Sequence, residues 1–63
     1  MFTITDNSVS LENRVVSIIF HDGKYWCKFK PLKKGSVVES IGMPEKDWAV
    51  EWARKILLEW RSQ

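Results

Sequence analysis

Val15-Val16-Ser17-Ile18-Ile19-Phe20-His21-Asp22-Gly23-Lys24-Tyr25-Trp26-Cys27-Lys28-Phe29-Lys30 decides the reading of this chain. Asp22-Gly23 stands between two runs of β-favouring residues, a strong local signal for a tight hairpin. Placing those two residues at the turn fixes the register. Phe20 then faces Tyr25, Ile18 faces Cys27, and Val16 faces Phe29, which makes one surface apolar. The other surface pairs His21 with Lys24, Ile19 with Trp26, Ser17 with Lys28, and Val15 with Lys30. Side chains alternate between faces along a strand, so Lys24, Trp26, Lys28 and Lys30 share a surface.

Working outward, Arg14 to His21 is read as one strand and Lys24 to Lys30 as the next. Pro31 has no N–H to donate and ends the ladder. Pro31-Leu32-Lys33-Lys34-Gly35 is read as a loop. Ser36 to Ile41 is β-branched and short, and is expected to form a third strand. Val37 and Ile41 are expected to face inward, because two apolar residues outweigh Val38 alone. Glu39 then sits at the rim or leans on a cation.

Gly42 interrupts the strand pattern and Pro44 suits the first helical position. A helix is expected over 44–61. Glu45 and Asp47 fall in its first turn, where the helix dipole favours carboxylates. Ala49, Trp52, Ala53, Ile56, Leu57 and Trp60 recur at three- and four-residue steps and form one apolar stripe. Trp48 borders that stripe, and Trp48 or Trp60 is expected to protrude. Glu51 and Lys55 are spaced for an i,i+4 ion pair.

The N-terminal segment divides into Phe2-Thr3-Ile4-Thr5, an alternating edge-strand pattern, the turn residues Asp6-Asn7-Ser8, and Val9-Ser10-Leu11. Residues 1–13 remain open between two arrangements. They either pair as an extra edge strand, or fold as an arm across the outer face, with Phe2, Ile4, Val9 and Leu11 covering Ile19 and Trp26. The expected class is α+β, one domain over 1–63. A three-stranded antiparallel sheet over 14–41 packs its apolar face on one C-terminal helix.

The 63 residues carry ten basic and eight acidic groups, a net charge of +2. That balance is too small to argue for nucleic acid, but its distribution is uneven. Lys24, Lys28, Lys30, Lys33 and Lys34 fall in one stretch that contains no acid. Cations that neutralise phosphate beside an aromatic that stacks on a base suit nucleic acid. Lys24, Trp26, Lys28, Lys30, Lys33 and Lys34 are therefore the candidate contacts.

Other functions have less support. Cys27 is the single cysteine and His21 the single histidine, so neither a disulfide within the chain nor a Cys/His zinc cluster is available. With no phosphate-binding glycine loop, no nucleophile motif and no evident carboxylate dyad, the chain is read as non-enzymatic, without cofactor or metal. Cys27 is expected inward as an inert small hydrophobe. No stretch approaches the roughly 20 apolar residues of a membrane span. The N-terminus lacks the basic and apolar regions of a signal peptide. A lone cysteine fits a reducing compartment. The expectation is a cytoplasmic protein, and the initial Met fits a complete small reading frame.

The run Ile18-Ile19-Phe20-His21-Asp22-Gly23-Lys24-Tyr25-Trp26-Cys27-Lys28-Phe29, followed by Ser40-Ile41-Gly42 and a helix through Ala49, Trp52 and Ala53, resembles the N-terminal arm-type DNA-binding domain of phage tyrosine recombinases and the related AP2-like modules. HicB-like antitoxin halves share this element order. The resemblance implies a sheet laid in the DNA major groove, with Lys24, Trp26, Lys28 and Lys30 facing the duplex. It also implies a phage- or plasmid-type regulator or accessory factor. The basic stretch that usually precedes the first strand in that family is absent, since residues 1–14 carry only Arg14.

A second function class fits the same residues. Val15, Ile19 and Trp26 with a lysine rim have the anatomy of a protein interface. The partner would be another protein, or a second copy of this chain. Dimerisation is a common remedy for a core this small.

Overall fold

The computed structural model describes residues 1–30 and 37–59. Five strands and one helix follow in order: β1 (Phe2–Ile4), β2 (Ser8–Leu11), β3 (Arg14–His21), β4 (Lys24–Phe29), β5 (Val38–Glu39) and α1 (Lys46–Glu59). The strands form one antiparallel meander in sequence order. The α+β class matches expectation, but the sheet has five strands rather than three. The correction lies mainly at the N-terminus, where β1 and β2 both pair into the sheet.

The central hairpin has the register read from sequence, from Val16 opposite Phe29 to His21 opposite Lys24. Asp22 and Gly23 take φ values of 57° and 73°. Positive φ at both central positions is the type I′ geometry, whose twist matches that of the flanking strands. A second two-residue turn, Glu12-Asn13, joins β2 to β3 between Leu11 and Arg14. Glu12 carries φ 60° there, a conformation in which a residue with a Cβ is uncommon. β1 and β2 are joined through Thr5 to Ser8, where the Thr5 N–H donates to the Ser8 carbonyl at 2.9 Å. The two hydroxyls of that turn meet at 2.7 Å.

The pairing places Val9 opposite Val16, so the apolar residues of β2 continue the inner face of the central hairpin. Val9, Leu11, Val16, Ile18, Cys27, Phe29 and Met43 form the core with Ala49, Ala53 and Leu57 of the helix. The two alanines occur one turn apart, followed by Leu57. Their small side chains let the helix backbone approach the sheet, and the Cys27 thiol donates to the Ala49 carbonyl at 3.3 Å. Arg54 reaches back over Phe2, 5.2 Å from the ring centroid, and so links α1 to the edge strand β1.

β5 departs from the expected third strand over 36–41. It is short, and its phase is opposite to that expected. Val38 pairs with Phe29 and packs against the core, whereas Glu39 pairs with Lys28. Val37 and Ile41 are exposed instead of inward. An isolated bridge then joins Tyr25 to Met43. From Lys28 back to Tyr25 is three steps along β4, but Glu39 to Met43 is four. The extra residue is a β-bulge opposite Trp26.

The helix begins at Lys46, two residues after Pro44, and its described part ends at Glu59. The expected extension to Arg61, and the position of Trp60, lie outside the described residues. Trp48 protrudes, 58% exposed, as one of the two tryptophans considered for that role. Val50 packs against the core, while Leu58 is exposed. Glu51 pairs with Arg54 at 3.1 Å, one residue short of the expected i,i+4 partner Lys55. Phe20, expected in the core, is 62% exposed. It lies against Tyr25 with ring centroids 4.8 Å apart.

Candidate nucleic-acid interface

The sheet has two unlike faces. The inner face is covered by α1, which contacts β2, β3 and β4. The outer face carries Ser17, Ile19 and His21 of β3, Lys24, Trp26 and Lys28 of β4, and Glu39 of β5, by the alternation that the registers fix. The N-terminal segment does not fold over it. Phe2 and Ile4 pair with Leu11 and Val9 within the plane of the sheet, and both pairs lie on the helix side.

Trp26 is half-buried, and its environment explains why. Its Nε1–H donates to the His21 carbonyl at 2.8 Å, so the indole leans along the sheet toward the hairpin turn. Its other restraint is Gly42. A Cβ built on Gly42 would stand 2.8 Å from Trp26 Cζ2, 2.8 Å from Lys24 Cδ and 3.0 Å from Trp26 Cη2. The missing side chain provides the space the ring occupies. The indole is thus held in one orientation by its polar end and by its benzene edge.

The bulge beside it is held by one hydroxyl. Ser40 N–H donates to the Cys27 carbonyl at 2.9 Å, but the Cys27 N–H donates to Ser40 Oγ at 2.8 Å. Ser40 Oγ in turn donates to the Ile41 carbonyl at 3.0 Å. The side chain replaces the backbone acceptor that the bulge displaces.

Lys28 and Glu39 meet across β4 and β5 at 3.6 Å, both about half-exposed. An exposed pair of this kind contributes at most about 1 kcal/mol, so Lys28 can exchange its partner cheaply. Between this pair and Trp26 lies a hollow of about 210 Å³ lined by Ile19, His21, Trp26, Cys27, Lys28, Glu39 and Ser40. Lys24 at the start of β4 and Lys30, one residue past its end, are both exposed. Of the sequence-derived contacts, Lys24, Trp26, Lys28 and Lys30 are placed together. Lys33 and Lys34 lie outside the described residues.

Sequence reasoning missed Gly42, Ser40 and the hollow. It treated Gly42 as a strand breaker and, with Ser40, as part of the arm-type resemblance. A serine and a glycine near the end of a short strand are weak signs of a bulge, and their partners are distant in sequence. Glu39 leaning on a cation was one of its two expected positions.

Burial raises the Cys27 thiol above its ordinary pKa, against a smaller lowering by the Ser40 hydroxyl. Such a thiol is a poor nucleophile at neutral pH. Among the described residues, no group of three or more His, Cys, Asp or Glu residues is arranged to hold a metal ion. No helix among them is long and apolar enough to cross a membrane. The chain matches no protein family model, and no curated protein or solved structure is detectably similar to it.

Proposed function

We propose that this domain is a small, non-enzymatic nucleic-acid-binding module, acting on DNA more than RNA through the outer face of its sheet. The observation that carries this reading is the pairing of a face that no described element covers with an uneven charge. Lys24 and Lys28 flank a half-buried indole along β4 on that side, with Lys30 just past the end of the strand and Glu39 opposite Lys28. The helix layer instead bears Glu45, Asp47, Glu51 and Glu59 against Lys46, Arg54 and Lys55. Ammonium groups release counterions from phosphate, and an oriented aromatic supplies a stacking surface. Lys33 and Lys34 extend the set along the chain. A phage- or plasmid-type regulator or accessory factor is the role that the arm-type resemblance implies.

Affinity for DNA should fall with salt. Three to five phosphate contacts give a log–log slope of about −2.7 to −4.5 on duplex. Replacing Trp26 and Lys28 together by Ala should weaken binding strongly while circular dichroism still reports the fold. Undiminished binding of DNA and RNA by that folded double variant would overturn the reading.

A protein-interaction module is the second reading. Phe20 and Trp48, 62% and 58% exposed, and Ile41, 80% exposed, favour it, because large apolar groups open to water often mark contact surfaces. A homodimer by light scattering, with no mobility shift of DNA at low salt, would favour this reading over the first.

A further inference from the structure

We propose that the hollow beside Trp26 receives one unpaired nucleobase, so that the outer face prefers single-stranded nucleic acid to duplex. This rests on the nucleic-acid reading above and specifies its ligand.

The hollow suits a base in size, lining and edge chemistry. At about 210 Å³ it falls below the roughly 300–1,000 Å³ of sites for drug-sized ligands. It suits a single planar heterocycle. Ile19 and the Trp26 indole supply its apolar lining. Ser40 has no proton to offer a ligand, because its hydroxyl already donates to the Ile41 carbonyl while accepting from the Cys27 N–H. The reading groups are Lys28 and Glu39, whose Nζ and carboxylate lie 3.6 Å apart at the rim. They offer a donor and an acceptor side by side. The Watson–Crick edge of a base presents the same alternation, and a carboxylate accepts from an exocyclic amine.

The wall is also built before any ligand arrives. The His21 carbonyl and the Gly42 backbone fix the indole from two sides. A stacking surface that is already oriented loses little further freedom on binding. Lys24 precedes Trp26 and Lys28 on β4, and Lys30 follows them one residue past its end. A strand delivering one base into the hollow would pass over an ammonium group before and after it.

A duplex meets this geometry poorly. Its bases are covered by neighbours on both faces and by a partner at the edge. Entry would require extrusion, whose cost is least for a strand already single.

The test uses the unaltered protein with three labelled probes of equal length: a mixed-sequence single-stranded deoxyoligonucleotide, the same strand with abasic sites throughout, and the corresponding duplex. Fluorescence anisotropy at low salt gives the affinities. The single strand should bind at least about fivefold tighter than the abasic strand, the effect of stacking one base, and tighter than the duplex. The Trp26 indole N–H resonance should shift with the single strand and stay in place with the abasic one. An abasic strand bound equally well, or a duplex bound as tightly as the single strand, overturns the inference. Salt-dependent binding of all three probes in that case leaves the nucleic-acid reading standing. Failure of all three to bind removes both.

Discussion

Gly42 and Trp26 show how much of this face depends on a pair of residues. The glycine is required by close approach, since no positive φ is involved. A methyl group there would meet Lys24 Cδ, which can swing aside, and the indole, which is held by its N–H bond to His21. Gly42→Ala should therefore destabilise the domain by about 1–3 kcal/mol through overpacking. Urea unfolding measures the loss, and the Trp26 indole resonance should move with it. In a cycle with Trp26→Ala the two costs should be clearly less than additive, because the alanine at 42 finds room once the ring is gone. Full additivity would mean that the ring and residue 42 do not constrain one another.

At the level of elements, the edge formed by β5 and its bulge depends on Ser40. Its hydroxyl accepts the Cys27 N–H in place of a carbonyl. Ser40→Ala would leave that half-buried donor without its acceptor, a loss of about 1–3 kcal/mol. Thermal unfolding should detect it, and amide exchange at Cys27 should quicken relative to Ile18 on the neighbouring strand. Unchanged exchange at Cys27 would show that the bulge holds itself without the hydroxyl. The turn at Glu12-Asn13 teaches a related lesson. It lacks the glycine that announces a hairpin, yet β2 and β3 pair because Val9 and Leu11 are buried by doing so. Tertiary burial there outweighs the strain of φ 60° at Glu12.

For the whole molecule, stability should depend on alkaline pH through Cys27. Its thiol sits in the core, and burial raises its pKa above the ordinary 9.0. The folded state therefore holds this proton at a pH where the unfolded chain releases it. The contribution is complete below the unfolded pKa and is lost as pH rises through the folded one. Urea midpoints should fall from about pH 9 upward more steeply in the parent than in Cys27→Ala. The lower baseline expected from the cavity in that variant does not affect the comparison of slopes. Parallel slopes would mean that the thiol does not couple to folding.

The central hairpin was legible because its information is local. Asp22-Gly23 prescribes the turn, the turn prescribes the register, and the register assigns Lys24, Trp26 and Lys28 to one face. The helix was legible for the same reason, since Ala49, Ala53 and Leu57 repeat at its own period. The N-terminal strands and β5 were not, because their pairing depends on partners elsewhere in the chain. Val37, Val38 and Ile41 have equal intrinsic claims to the core, and only the bulge opposite Trp26 decides that Val38 enters it. The outer face was open to two readings until β1 and β2 took their places in the plane of the sheet. Sequence alone thus determined which side chains share a face of the central hairpin, through strand alternation and turn geometry. Tertiary structure decided which face the helix and the N-terminal strands leave free, because that depends on where distant apolar segments find their burial.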